Sequence, residues 1–343
     1  MLLLVLLLIC CSVCKCEVGD LGYDLNIGNT IDVFANYGDL SQVTQVVSAD
    51  YEDDGQEPIV PFSEKNLRVF ANSSSRSVVG GSTTNMEIQI CDTFEDLLNT
   101  YFSNFKIEGT DRPWKAFMGD WVDDEILRTM GIMYDGKLEN CCYVLVKWTK
   151  PHTSAQLDDL TGVAVKDHVG RAVDNLNVSD TAEVRRFMKS YGTHYIDSYV
   201  TGNFIYQVFK YKRSGFNLLR AYMRVKVRNA KASNNSDNLR FYFSSYFLKQ
   251  VGDIKVASGN KTVEAWAKKN LRESQYLYSR PSLLKLHYSP YLAYKLNELL
   301  RADNGALLGL DLKTLRPLFK DRNKAEKYAE IVENDLKLWE VNA

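Results

Sequence analysis

After residue 16 this chain of 343 residues has no apolar run approaching the roughly 20 residues that a membrane-spanning helix requires. The stretches that come closest, such as Cys141 to Val146, have the length of a strand. Histidine is scarce. His152, His168, His194 and His287 lie far apart, with no i, i+4 pair and no cysteine at zinc-ligand spacing. No Gly-x-Ser-x-Gly elbow is present. Gly80-Gly81 sits in a polar loop that lacks the Gly-Lys-Ser/Thr of a phosphate-binding turn. Acid pairs such as Asp123-Asp124 read as a solvated helix face. These absences leave no candidate catalytic residue, metal ligand or cofactor, and the expectation is a protein that is not an enzyme.

What is present points to export. Leu2 to Ile9 is an unbroken apolar run, and Ser12 to Cys16 supplies small residues. The pattern predicts a signal peptide over 1–16, cut after Cys14 or Cys16, although the usual positive n-region is missing. The expected product is secreted, with no membrane anchor of its own. Four glycosylation sequons, at Asn72, Asn177, Asn234 and Asn260, fall in turn-like polar segments and agree with that compartment. Cleavage after Cys16 removes Cys10, Cys11, Cys14 and Cys16, leaving Cys91, Cys141 and Cys142 and hence one odd thiol, unless cleavage spares Cys16. One disulfide from Cys91 to either Cys141 or Cys142 is expected outside the cell.

Net charge is −1, but its distribution is uneven. Glu17 to Glu64 holds eleven acids and no Lys or Arg, whereas Ser198 to Ser236 holds eight basic residues and no acid. Lys210, Lys212, Arg213, Arg220, Arg224, Lys226, Arg228 and Lys231 make a candidate basic surface for anionic lipid, glycan or an acidic partner. Screening beyond about 8 Å means that such a surface acts only at close approach.

The acidic segment 17–64 reads as irregular, with one or two edge strands near Thr30 to Phe34. Helices are expected over Asp92 to Phe105, Asp120 to Met133, within Asp158 to Leu176, and over Thr262 to Leu271, Pro290 to Leu300 and Ala325 to Trp339. The clearest runs from Asp180 to Tyr191. Asp180 and Glu183 form a capping-box-like start, Val184, Phe187, Met188 and Tyr191 form a buried stripe, and Gly192 forms the stop. Strands are expected over Cys141 to Trp148, Thr193 to Phe209 (broken at Gly202) and Leu239 to Leu248. Leu219 to Arg228 alternates apolar and basic residues with period two. Helices and strands come in separate runs, which argues α+β.

Tyr191-Gly192-Thr193-His194-Tyr195, followed after six residues by Gly202, resembles the signature of the membrane-attack-complex/perforin (MACPF) family. Asn203 stands where that family has a second glycine. His194 itself reads as a structural histidine that fixes a bend through a backbone hydrogen bond. The resemblance covers roughly residues 65–310, leaving 311–343 as a helical extension packed on that core. It implies a MACPF/cholesterol-dependent-cytolysin-like bent, twisted antiparallel sheet flanked by two helical clusters, within Tyr101 to Glu139 and Lys212 to Arg240. In the family's pore formers those clusters unfurl into transmembrane hairpins. Leu219 to Arg228 suits such a strand, whereas Asp123-Asp124-Glu125 and Asp111-Arg112 place charge on both faces of the first hairpin.

A short, cysteine-poor chain of this kind further resembles members that act in developmental signalling. The partners this implies are an extracellular signalling protein or a component of the Torso receptor tyrosine kinase pathway, with an anionic membrane surface or egg coat as the site of action. Nucleic acid is not among them, and oligomerisation is left open. A pore former and a structural coat component are the competing readings.

Overall fold

The computed structural model describes residues 27–34, 69–70, 75–79, 85–118, 122–136, 141–160, 164–228, 239–302 and 306–342. The expected signal peptide, most of the acidic segment, Asn72, Asn234, Lys231 and the side chains of Lys226 and Arg228 lie outside the described residues. The strands are β1 (Thr30–Ile31), β2 (Ser75–Val79), β3 (Asn85–Cys91), β4 (Phe105–Ile107), β5 (Cys142–Leu157), β6 (His194–Tyr211), β7 (Leu248–Val251), β8 (Lys255–Val256), β9 (Arg272–Glu273), β10 (Arg280–Pro281) and β11 (Ala306–Thr314). The α-helices are α1 (Phe94–Tyr101), α2 (Trp114–Phe117), α3 (Asp123–Thr129), α4 (Asp167–Asn175), α5 (Thr181–Tyr191), α6 (Arg213–Arg228), α7 (Leu239–Tyr242), α8 (Lys261–Asn270), α9 (Pro290–Ala302) and α10 (Arg322–Asn342).

The chain is α+β, built on one large, bent, mostly antiparallel sheet. Its axis is the β5–β6 ladder, which runs from Cys142↔Tyr211 to Gln156↔Ser198. β3 flanks the first half of β5, and β2 the second. β6 pairs with β7 and β8 at one end and with β11 at the other, where β4 adds in parallel. The expected edge strand near Thr30 is β1, paired with β6. The boundary placed at residue 310 falls inside β11, so this strand joins the core to the last helix rather than separating them.

The strand expected over Cys141 to Trp148, before Lys150-Pro151, is β5. It continues to Leu157 because Pro151 sits at a bulge opposite Gly202, where its missing N–H breaks no ladder bond. Gly202 adopts φ +153, and a Cβ there would collide with the Lys150 carbonyl and lie 2.9 Å from Pro151 Cα. The strand pair therefore turns at a position that admits only glycine.

Both faces of this ladder are buried. Cys142, Val144, Val146, Ile205 and Phe209 face one core, while Tyr143, Leu145, Tyr206 and Val208 face the other. This explains the near-continuous apolar run in β5. Helices α1, α4, α5 and α10 supply residues to the second of these cores, and α6–α9 to the first. In α5, Asp180 Oδ1 accepts from Ala182 N at 2.9 Å and Glu183 N at 3.3 Å, a cap worth about 1 kcal/mol. Glu183 does not reach back to Asp180; it accepts from Asn177 N at 3.1 Å. Val184, Phe187 and Met188 are buried as the stripe requires.

Three expectations are corrected. Leu219 to Arg228 is the end of helix α6, not an extended segment. Phe216 and Leu219 are buried, and Tyr222 and Met223 pack against them, so a stripe at helical spacing outweighs the period-two alternation, which leaves Val225 exposed. Leu239 to Leu248 is helix α7 and a turn, with only Leu248 entering β7. Its rings pack as Phe209–Phe243 at 4.9 Å and Phe241–Phe247 at 5.2 Å, an aromatic plug rather than a pleated row. No disulfide joins Cys91, Cys141 and Cys142. Cys91 is paired in register with Tyr143, so Cys142 points to the opposite face of the sheet. Cys141 lies in the same core as Cys91, but it is two positions before Tyr143, the residue paired with Cys91, and its Sγ is 3.8 Å from Lys249 Nζ.

Candidate functional site: the β6 turn and the two inter-strand segments

The recognisable turn is a buried hub. Gly192 ends α5 at φ +83, with its Cα against β1; a Cβ would lie 3.0 Å from Ile31 O. Thr193 N donates to Ile31 O at 3.0 Å, and Val33 N donates to Thr193 Oγ1 at 3.0 Å. Tyr328 of α10 donates its hydroxyl to the Thr193 carbonyl at 3.2 Å. Tyr195 packs edge-on against Phe70 with centroids 5.4 Å apart.

His194 is fully buried between Thr193 Oγ1 at 2.9 Å from Nδ1 and the Glu108 carbonyl at 2.8 Å from Nε2. A carbonyl only accepts, so Nε2 carries the proton. Burial holds the imidazole neutral, with its pKa pushed down to about 4, so Nδ1 accepts from the Thr193 hydroxyl. That hydroxyl has one proton and also lies 3.2 Å from Ile31 O; the shorter contact takes it. A histidine so arranged holds the start of β6 to the turn after β4. Glu108 extends the hub: its carboxylate accepts from Thr314 N at 2.8 Å and Thr314 Oγ1 at 2.9 Å.

Asn203, in place of a second glycine, keeps an ordinary backbone, since among the described non-glycine residues only Tyr278 and Ser279 have positive φ. Its buried side chain instead clips β6 to the loop before α8, donating to Ser258 Oγ at 3.0 Å and accepting from Ser258 N at 3.3 Å.

Two segments leave the same end of the sheet. The rung containing Cys91, Tyr143 and Lys210 and the adjacent Cys142, Tyr211 and Leu248 marks that end. One segment joins β3 to β5 and the other joins β6 to β7. The first is more than helical, because it contains β4, hydrogen-bonded to β11 with Leu310↔Phe105 to Leu312↔Ile107 in register. Phe102, Phe105 and Phe117 pack as a buried ring cluster with centroids 4.8–5.9 Å apart. Lys115 Nζ reaches the Glu340 carbonyl at 2.6 Å, and Thr110 hydrogen-bonds to the Glu340 carboxylate, so α10 clamps this segment. Lys147, buried on β5, donates to the Tyr101 carbonyl at 2.8 Å at the end of α1; burial pushes its pKa down to about 8. Asp92, just before α1, pairs with both Arg213 (3.9 Å) and Arg220 of α6, bridging the two segments.

The basic candidates consequently separate. Lys210 is a correction: it is fully buried on β6, with Nζ 2.7 Å from Asp135 Oδ1, and is no surface residue. Arg213 and Arg220 share Asp92, and Lys212 donates to the Tyr246 carbonyl at 2.9 Å. Arg224 is exposed. Of the sequons, Asn177 is exposed in a turn, and Asn260 caps α8 through its side-chain oxygen. Among the described residues no cluster suited to a metal ion occurs. Glu108, Asp92 and Lys147 carry no local sequence signal, because each meets partners dozens of positions away.

No family model and no curated protein matches this sequence. Solved structures do. GNIP1Aa from Chromobacterium piscinae aligns at TM-score 0.43 and 8% identity over 81% of this chain and 48% of its own. A cell-invasion protein with a MAC/perforin domain from Bacteroides thetaiotaomicron aligns at TM-score 0.42 and 12% identity, covering 91% and 60%. Astrotactin-2, a vertebrate perforin-like membrane protein involved in neuronal development, aligns at TM-score 0.31 and 9% identity, covering 83% and 40%. This chain spans less than two thirds of each. Neither activity nor partner follows from likeness at that level.

Proposed function

We propose that this is a secreted, glycosylated MACPF-type protein that acts in extracellular signalling without catalysis and without perforating membranes. The Tyr191–Tyr195 hub and the two segments leaving one end of a bent sheet support the MACPF reading. The observation that carries the non-lytic reading is β4. To unfurl, the first segment would have to tear three residues out of a parallel pairing with β11, expose Phe102, Phe105 and Phe117, and break its clamp to α10. Each ring so exposed costs on the order of 2 kcal/mol. The acids Asp123, Asp124 and Glu125 at consecutive positions of α3 add to that cost, since in a transmembrane strand at least one would face lipid. Among the described residues no helix is long and apolar enough to cross a membrane, which bears on helical spans and not on a β-barrel.

The signalling role rests on the likeness of this sequence to the insect Torso-like protein, whose family setting is localised activation of the Torso receptor tyrosine kinase in embryonic terminal patterning. The test is dye release from anionic liposomes together with negative-stain imaging of the same sample. Intact liposomes and no rings over a wide concentration range are expected; rings with dye release would establish the pore reading instead. Loss of the protein should impair receptor activation and leave the egg coat intact. Coat failure with normal receptor activation would mark a structural component.

A further inference from the structure

We propose a second, distinct surface that binds a sulfated polysaccharide, formed by the C-terminal end of α8 and the β9–β10 hairpin. Between Ile254 and Asn297 the chain carries eight Lys or Arg residues and two acids, Glu264 and Glu273. Both acids are buried. Glu264 pairs with Lys261 at 3.1 Å and Glu273 with Arg240 at 3.5 Å, so neither projects negative charge outward. The exposed charge that remains is positive.

Lys268 and Lys269 are exposed on the last turn of α8, and Arg272 and Arg280 are exposed on the hairpin that follows. Lys285 joins them, donating to the Asn270 carbonyl at 3.1 Å and the Arg272 carbonyl at 2.9 Å, so a fifth cation sits where α8 ends. At the hairpin tip, Tyr278 and Ser279 have φ +48 and +65, a left-handed pair that costs free energy for non-glycine residues. Buried Leu277 plugs the tip into the core, and Ser279 N donates to the Glu273 carbonyl at 2.9 Å. The tip thus presents the Tyr278 ring to solvent, 83% exposed, two positions before Arg280.

A group of exposed cations on adjoining elements beside a presented ring suits a chain of sulfated sugars. Guanidinium and ammonium groups meet the sulfates, and the ring stacks on an apolar sugar face. A lipid bilayer is the weaker fit. From Ile254 to Asn297 the exposed large hydrophobics are Tyr278, Tyr291 and Tyr294, with no aliphatic or tryptophan side chain to seat among acyl chains.

The experiment uses the full mature protein and heparin as the probe, with chemically desulfated heparin, polyglutamate and phosphatidylserine vesicles as comparators. Wild type should bind heparin at physiological salt and bind the comparators weakly. The Lys268→Glu/Lys269→Glu/Arg272→Glu variant should lose roughly tenfold or more in affinity, with a shallower salt dependence. Reversal of Lys320, Arg322 and Lys327, exposed at and beside the start of α10, changes net charge equally and should leave binding within about twofold. Tyr278→Gly removes the ring while relaxing the backbone; it should keep or raise the melting temperature and still weaken heparin binding about threefold. Equal loss in both charge-reversal variants, equal binding to any comparator, or no retention on heparin would overturn the proposal.

Discussion

His194 Nε2 lies 2.8 Å from the carbonyl oxygen of Glu108, so the first residue of β6 holds the turn after β4 although 86 positions separate them. Burial holds this imidazole at a pKa of about 4, against 6.5 when unfolded. Between those values the unfolded chain binds more protons than the folded one, so stability rises with pH through the window. The contribution is fully present above about pH 6.5 and is lost as pH falls toward 4, amounting to about 3 kcal/mol. Urea midpoints from pH 7.5 to 4.5 should fall accordingly. His194→Gln should flatten that part of the profile and lower stability at pH 7 by about 2 kcal/mol; an unchanged profile would remove the assignment.

Gly202 should tolerate no side chain. Gly202→Ala places a methyl against the Lys150 carbonyl and forces φ +153 on an L-residue, in a strand packed on both sides. A loss of roughly 3 kcal/mol or more, or failure to fold, is expected. Gly136→Ala is the comparison, since its Cβ would meet nothing within 4 Å. Its cost should come from φ +77 alone, on the order of 1 kcal/mol.

Asp92 should tether α6 without stabilising the fold strongly. Its pairs with Arg213 and Arg220 are partly exposed, so Asp92→Asn should change stability by less than about 1 kcal/mol. Amide exchange in α6 should nevertheless speed up, because the variant loses the contact that joins the two inter-strand segments. Unaltered α6 protection would show that apolar packing alone holds the helix.

Cys91 should resist alkylation. Its thiol is buried, with a pKa pushed up to about 11, so at pH 8 almost none is thiolate. Iodoacetamide should modify Cys91 only after denaturation, and reducing agents should leave the melting temperature unchanged. A reducible cross-link between Cys91 and Cys142 would contradict the β3–β5 register.

Much of the secondary structure was legible where a local rule acts alone. Asp180, the Val184/Phe187/Met188 stripe and Gly192 define α5 within its own residues, and α10 is equally plain from its stripe. The MACPF-like turn was legible as a motif, and His194 as a backbone-fixing residue. Leu219 to Arg228 was ambiguous because its alternation competes with a helical stripe that begins outside it, at Phe216. The Leu239–Leu248 rings gave no register, since which ring meets Phe209 depends on a strand thirty residues earlier.

The sequence by itself determined the α+β class, the hub motif, the scarcity of histidine and the presence of charge blocks, because each depends on residue type and near neighbours. Tertiary structure alone decided which charges remain outside. Lys210 lies in the basic block yet is buried against Asp135, whereas Glu264 and Glu273 are buried and leave Lys268, Lys269 and Arg272 unopposed. The tertiary fold also decided that the first inter-strand segment carries a sheet strand and that Cys91 and Cys142 face opposite cores. The reason is the same in each case: burial and pairing between residues far apart in sequence arise only when the sheet assembles, and no local pattern encodes them.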